Sequence, residues 1–270
     1  MLFPFWLYPK LDMNDTCDIL SLLYRHDAKQ AYEDIYGSYI KQWYATVMFC
    51  YFANISSNKL CTQDSSYKQA LLHASFILPD GIALQIFNRV ASWPKQWLYN
   101  LNWTDFTLPF LQFLQNKQDI CVHMYGTTVE HVRKTKTFLQ QKNIAVGHIQ
   151  DGFSDFNQTT FGAKYDREKI NILLVGRWTP LQEERIYQNH VFLSKHKLIV
   201  MGIWWLFDFR IGAQQRAPKI VRKCKAEWLW RLCTDPKRNL HKVYYSLLLI
   251  PYVFSYLLLK RTPNSISKSK

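Results

Sequence analysis

The chain has 270 residues, 48% of them apolar and 16% aromatic, enough to bury a sizeable core and too hydrophobic for a disordered polyelectrolyte. Its formal net charge is +14, but residues 210–270 alone hold 14 Lys+Arg against 2 Asp+Glu, so a nearly neutral body carries a cationic tail. Such asymmetry points to a polyanionic partner: nucleic acid, an anionic membrane surface or a phosphorylated ligand. Six scattered cysteines, with no CxxC pair and no Cys/His spacing for zinc, read as thiols of a reducing compartment. The apolar start, Met1 to Tyr8, lacks the cationic region and the length of a signal peptide, and the chain is expected in the cytoplasm.

Helical patterns run from about Asp15 to Tyr44, with breaks near Asp27 and Gly37. Residues 45–53 (Thr46-Val47-Met48-Phe49-Cys50-Tyr51-Phe52) then form an unbroken β-rich run, suited to a strand buried on both faces of a parallel sheet, and it ends at Asn54. A helix is predicted near Ser66–His73, followed by a short strand, Phe76-Ile77-Leu78, and the corner Pro79-Asp80-Gly81. Proline fixes φ and glycine permits positive φ, so this corner can aim one carboxylate out of a sheet; taken alone, it is also ordinary turn chemistry.

A helix to about Val90 follows. The aromatic stretch 93–107 reads as irregular, with a helix beginning at Leu108 and ending at Leu114. Three more strand patterns, Ile120–Gly126, Ile144–Ile149 and Ile170–Gly176, alternate with helices at Val129–Gln141 and Gln182–His190, and a last strand is expected over Leu198–Trp204. This alternation predicts an α/β fold: a Rossmann-like, mainly parallel sheet with helices on both faces, plus a basic helical C-terminal appendage. The division falls at a core of residues 1–212 and an appendage of 213–270. Ligands of such sheets bind at the carboxyl ends of the strands, where Asn54, Asp80, Gly126, Gly176 and Asp208 are expected to gather. No GxGxxG, P-loop, GxSxG or HExxH occurs, and the eight histidines show no metal-ligand spacing.

Three further segments share that edge with Asp80. They are Val175-Gly176-Arg177-Trp178-Thr179-Pro180-Leu181-Gln182-Glu183; Met201-Gly202-Ile203-Trp204-Trp205-Leu206-Phe207-Asp208-Phe209; and a basic stretch from Arg216-Ala217-Pro218 through Glu227-Trp228-Leu229-Trp230-Arg231-Leu232 to Asp235-Pro236-Lys237-Arg238. In order and spacing they resemble the WecG/TagA/CpsF family of bacterial glycosyltransferases, whose pattern is PDG, VGxGxPKQE, GVGGxFDFxAG, RAP and EWLxRLxxEPxR. The resemblance runs from about Val47 to Tyr244.

The resemblance implies an inverting glycosyltransferase with no metal and no cofactor. Its donor would be a UDP-sugar, N-acetylmannosamine-like or another hexose, and its acceptor a sugar linked to polyprenyl diphosphate, in surface polysaccharide or teichoic-acid synthesis. It also implies work on the inner membrane face and self-association. Carried over by position, Asp80 is the general base. Asn54 is the asparagine of the first strand-end motif and Gln182 the glutamine beside the nucleotide. Arg231 and Arg238 close over the site and neutralise the departing diphosphate, with His241 or Lys242 at the place of a last tail arginine. Gly81, Asp105, Gly176, Pro180, Glu183 and Asp208 complete the substrate-binding set. Guanidinium groups match phosphate geometry, so fixed arginines can take the place of a divalent cation.

The chain departs from the pattern at Trp178 and at Trp204-Trp205, where the family carries glycines, at Phe52 in place of a threonine, and at Asn100 in place of an arginine ahead of Asp105. Indoles at such positions suit stacking on a sugar or a base, or mark altered activity. Residues 243–259 are 17 uncharged residues flanked by Lys242 and by Lys260-Arg261, at the lower limit of the roughly 17–25 a span needs and interrupted by Pro251. They read as a monotopic anchor with basic residues on anionic lipid, ahead of a helix packed on the core and, last, a true span. The alternative reading of the whole chain is a binding module that holds nucleotide-sugar, lipid diphosphate or nucleic acid without turnover, nucleic acid being the least favoured partner.

Overall fold

The computed structural model describes residues 22–51, 66–91, 98–203, 217–218, 221, 227–234 and 236. Six strands form one all-parallel sheet: β1 (Tyr44–Tyr51), β2 (Phe76–Asp80), β3 (Ile120–Gly126), β4 (Ala145–Gln150), β5 (Ile170–Gly176) and β6 (Leu198–Gly202), in the order β2-β1-β6-β5-β3-β4. The expected α/β Rossmann-like architecture is therefore the observed one. The helices are α1 (Ala28–Gln42), α2 (Ser66–Leu72), α3 (Ile82–Ala91), α4 (Trp103–Gln115), α5 (Val129–Gln140), α6 (Gln158–Lys164), α7 (Leu181–Gln188), α8 (His190–Leu193) and α9 (Glu227–Thr234).

Alternation along the strands feeds two cores. Val47, Phe49, Val122, Met124, Ile172, Leu174, Ile199 and Met201 pack on one face with α1, α4 and α5. Met48, Cys50, Leu173, Val175, Leu198 and Val200 pack on the other with α2, α3, α6, α7 and α8. Because both faces are covered, β3, β5 and β6 are buried along their whole length, and their sequences are apolar runs interrupted only by His123 in β3 and Asn171 in β5. The outer edge of β2 is met by Leu23, which bridges Ile77, and by the Tyr24 N–H, which donates to the Ile77 carbonyl at 2.8 Å; an open strand edge is thereby covered.

Helix α4 begins five residues earlier than its sequence suggests. Asn102 caps it: the Asn102 side chain accepts from the Asp105 N–H at 3.0 Å and its amide donates to Asp105 Oδ2 at 3.0 Å, a reciprocal cap that starts the helix at Trp103. Pro109 therefore lies inside the helix rather than near its start. Helix α6, not expected from sequence, is capped by Asn157 and held by buried Phe161 among Phe156, Tyr165 and Phe192.

The parallel order places the functional edge. The chain leaves β3 through α5 on one face to reach β4, and leaves β5 through α7 on the other face to reach β6. The connections after β3 and β5 thus leave on opposite faces, which makes the boundary between these neighbours the switch point at whose carboxyl ends ligands of such sheets bind.

Candidate functional site

At this switch point backbone packs on backbone. Gly126 ends β3 with φ +148, and a Cβ there would lie 2.3 Å from the Gly176 carbonyl oxygen. Gly152 packs against the other side, its added Cβ 2.9 Å from Gly126 Cα. The Thr127 N–H donates to the Gly176 oxygen at 3.0 Å and the Gly152 N–H to the Thr127 oxygen at 2.9 Å, so the ends of β3, β4 and β5 are tied together.

Asp80 is the last residue of β2, in register with Tyr51 of β1, and is half-buried. Gly81 follows with φ +92, a conformation that costs glycine little and turns the chain straight into α3. Two contacts hold this corner against the segment leading into α4. The Gly81 N–H donates to Asn100 Oδ1 at 3.0 Å, and the Leu101 N–H donates to the Pro79 carbonyl at 2.8 Å. Asn100 thus fastens the backbone beside Asp80 where the family pattern places a cation. Asp105 is exposed in the first turn of α4, engaged in the Asn102 cap.

The β5 loop delivers the second cluster. Gly176 is buried, Trp178 is 60% exposed, and Pro180 sits at the N-cap of α7 after a cis Thr179-Pro180 bond. Gln182 and Glu183, both in the first turn, are buried. Gln182 Nε2 donates to Glu183 Oε1 at 2.8 Å, and Thr179 Oγ1 donates to the same oxygen at 3.0 Å. Glu183 Oε2 is buried with no hydrogen-bond partner. Burial pushes the Glu183 carboxyl up to about 7, against the opposing pull of its hydrogen bonds. The Gln182 carboxamide reaches across the end of β6, with Nε2 3.2 Å from where a Cβ on Gly202 would be. By strand order Gln182 stands over β6, two strands from Asp80, or about 10 Å at the usual spacing.

Arg177 is turned toward β3: its Nη1 donates to the Tyr125 hydroxyl at 3.1 Å, which donates to the Ser154 carbonyl at 2.7 Å. Phe153, 79% exposed, rises from a loop whose backbone is capped by Asp151.

The structure thus brings Asp80, Gly81, Gly176, Pro180, Gln182 and Glu183 to one edge, with Asp105 on the adjoining helix. Asn54, Asp208, Arg238 and His241, the indoles of Trp204 and Trp205, and the apolar stretch 243–259 lie outside the described residues. Arg231 is placed on α9, but its side chain is not described. Sequence reasoning missed Thr179 and Gly202 as partners of the Gln182–Glu183 pair. Among the described residues no group of three His, Cys, Asp or Glu could hold a metal ion, and no helix is long and apolar enough to cross a membrane.

Known proteins bear directly on this edge. A curated relative, the N-acetylglucosaminyldiphosphoundecaprenol N-acetyl-beta-D-mannosaminyltransferase of Staphylococcus aureus strain MRSA252, is 28% identical over 204 residues, covering 70% of this chain and 77% of the relative. The protein of the same name from strain NCTC 8325 is 27% identical over 203 residues at the same coverage. The profile of the Glycosyl transferase WecG/TagA/CpsF family matches residues 22–265, which takes in the Asp80 corner, the Gln182–Glu183 turn and the basic tail. The chain belongs to the WecG/TagA/CpsF family and is a glycosyltransferase.

Proposed function

We propose that this enzyme moves a hexose, N-acetylmannosamine or one like it, from a UDP-sugar to a sugar carried on polyprenyl diphosphate, in surface-polysaccharide or teichoic-acid synthesis. The observation that carries the reading is the placement of Asp80 at the carboxyl end of β2, on the same sheet edge as the buried Gln182–Glu183 turn. The names of the relatives supply the acceptor class and the transferred sugar.

In this reading Asp80 accepts the proton of the acceptor hydroxyl as its oxygen attacks the anomeric carbon. The bond from that carbon to the UDP phosphate oxygen breaks on the opposite side, and the configuration inverts. The electron pair stays on UDP, and Arg231 and Arg238 take up its charge in place of a divalent cation. Gln182 is the residue beside the nucleotide, and Asn54, Gly81, Gly176, Pro180 and Asp208 are further substrate-binding positions that the family pattern implies. His241 takes the place of a last tail arginine, and Asp105, on α4, belongs to the same substrate-binding set. Residues 213–270 act as the unit that closes the site. Their charge, with the apolar stretch 243–259, would hold the enzyme on the anionic inner face of the plasma membrane, where its lipid acceptor resides.

The test is an assay with UDP-N-acetylmannosamine and other UDP-sugars against a short-chain, N-acetylglucosamine-bearing lipid diphosphate. UDP release and an inverted glycosidic product are expected from the wild-type chain, and a loss of about a hundredfold or more in kcat from Asp80→Asn. Full activity in Asp80→Asn removes the base assignment. Absence of turnover with every donor, while UDP still binds, favours the binding-module reading.

A further inference from the structure

The Gln182–Glu183 turn contains a cost that the fold does not explain. Acidic residues in the first turn of a helix gain from the dipole while standing in water. Glu183 stands there with 0% exposure, and one of its two oxygens has no partner. A buried acceptor without a donor is expensive, and a neutral side chain of the same shape would serve packing as well. Such violations of local rules are found at working sites.

The second observation is the geometry of the satisfied oxygen. Glu183 Oε1 accepts two hydrogen bonds, from Gln182 Nε2 and from Thr179 Oγ1. A carboxylate oxygen only accepts, so the Gln182 amide must turn its NH2 toward Glu183 and its carbonyl away. Gly202 leaves the space in which the amide lies. An unrestrained carboxamide has two orientations of similar shape and opposite polarity, and a ligand that reads one is refused by the other.

We propose that Glu183 is a positioning residue that fixes the polarity of the Gln182 carboxamide, and so sets which face of a UDP group the site accepts. The inference rests on the reading that Gln182 lies beside the nucleotide. Glu183 itself does not touch substrate; it acts through Gln182, and Thr179 holds the other side of the same oxygen.

The experiment is titration calorimetry of UDP with the wild-type chain, Gln182→Ala, Glu183→Gln and the double variant, with circular dichroism to verify folding. Glu183→Gln keeps shape and burial but can donate or accept, so the lock is lost. Its UDP affinity should fall about tenfold, the scale of one hydrogen bond to a charged group. The double variant should bind no more weakly than Gln182→Ala alone, because both changes act through one amide. In 1H–15N spectra the Gln182 side-chain NH2 pair should move in Glu183→Gln. Glu183→Asp, which keeps the charge but withdraws the oxygen by one methylene, should lose affinity likewise and serves if Glu183→Gln does not fold. Wild-type affinity in folded Glu183→Gln, or losses that add in the double variant, overturns the proposal while leaving the nucleotide site intact. A wild-type chain that binds no UDP overturns the nucleotide reading and this inference with it.

Discussion

Gln182 Nε2 lies 3.2 Å from the point a Cβ would occupy on Gly202, so the end of β6 and the first turn of α7 share one space. The Gln182 side chain cannot simply swing aside, because its NH2 group is held by Glu183 at 2.8 Å. Gly202→Ala should therefore push the carboxamide by a few tenths of an ångström without disturbing the strand. We expect kcat/KM to fall about tenfold with the urea midpoint nearly unchanged, since small misplacements at a site cost more in rate than in stability. Unaltered kinetics in a folded variant would show that Gln182 does not depend on this space.

Asn100 gives a second expectation. Its Oδ1 receives the Gly81 N–H beside Asp80, and Asn100→Ala removes that acceptor at a partly open corner. Stability should drop by about 1 kcal/mol in urea denaturation. A kcat reduced several-fold, with donor KM unchanged, is the signature of a base whose backbone has loosened. A KM effect alone would place Asn100 on the donor instead.

How much of this was legible beforehand depends on what each feature is made of. The largely apolar runs of β1, β3, β5 and β6 announce strands covered on both faces, and the glycine or aspartate that ends β2, β3 and β5 marks the carboxyl edge of the sheet. Strand order was not legible, because it is set by pairings between residues far apart in sequence. The helix expected from Leu108 in fact starts at Trp103, where the Asn102–Asp105 cap was present in the sequence and carried the better signal. The motifs singled out Asp80 and Gln182, and the structure sets both at the carboxyl edge. The burial of Glu183 was not, since an acid in a first helical turn is ordinarily solvated. The replacement of the arginine by Asn100 was visible, but the contact Asn100 makes depends on the turn of the chain at Gly81.

The glycines at the sheet edge carry a stability prediction. A Cβ on Gly126 would lie 2.3 Å from a backbone oxygen of Gly176, which cannot rotate away, and its φ of +148 is itself unfavourable for alanine. Gly126→Ala should destabilise the chain by about 3 kcal/mol, from overpacking and backbone strain together. By contrast Gly37→Ala, in α1 with nothing within 4 Å of the added atom, should be neutral or stabilising by up to about 1 kcal/mol. Equal midpoints for the two variants would contradict the close packing of β3 on β5.

Glu183 should leave a mark on stability as pH rises. In the folded chain its carboxyl is raised by burial to about 7, and in the unfolded chain it returns to about 4.5. Between those values the unfolded state releases its proton and the folded state retains it, so this group's contribution falls as pH climbs from 4.5 to 7 and levels off above. The full difference is about 3 kcal/mol. Glu183→Gln should lose this slope and be the more stable chain at pH 8. Parallel pH curves for the two chains would show that the carboxyl is not buried in solution.

His123 acts in the opposite sense, and for a reason built into the sheet. Between Val122 and Met124 the β3–β4 register shifts, because β4 holds one extra residue at Gly147-His148. The His123 ring occupies that gap: Nδ1 accepts the His148 N–H at 3.0 Å, and Nε2 then bears the proton and donates to Asn171 Oδ1 at 2.9 Å. A second proton on the ring would displace the His148 contact in a fully buried place, and burial accordingly depresses the imidazole to about 4. The unfolded chain takes up this proton near 6.5 and the folded chain only near 4, so stability is present above 6.5 and falls as pH drops from 6.5 to 4. The loss is about 3 kcal/mol. Urea midpoints of wild type and His123→Gln at pH 7.5 and pH 5 isolate the effect, since glutamine can accept and donate in the same gap without titrating. The variant should start lower at pH 7.5, for its imperfect fit, and fall less on going to pH 5. An equal fall in both chains would mean that His123 does not carry the acid sensitivity of the sheet.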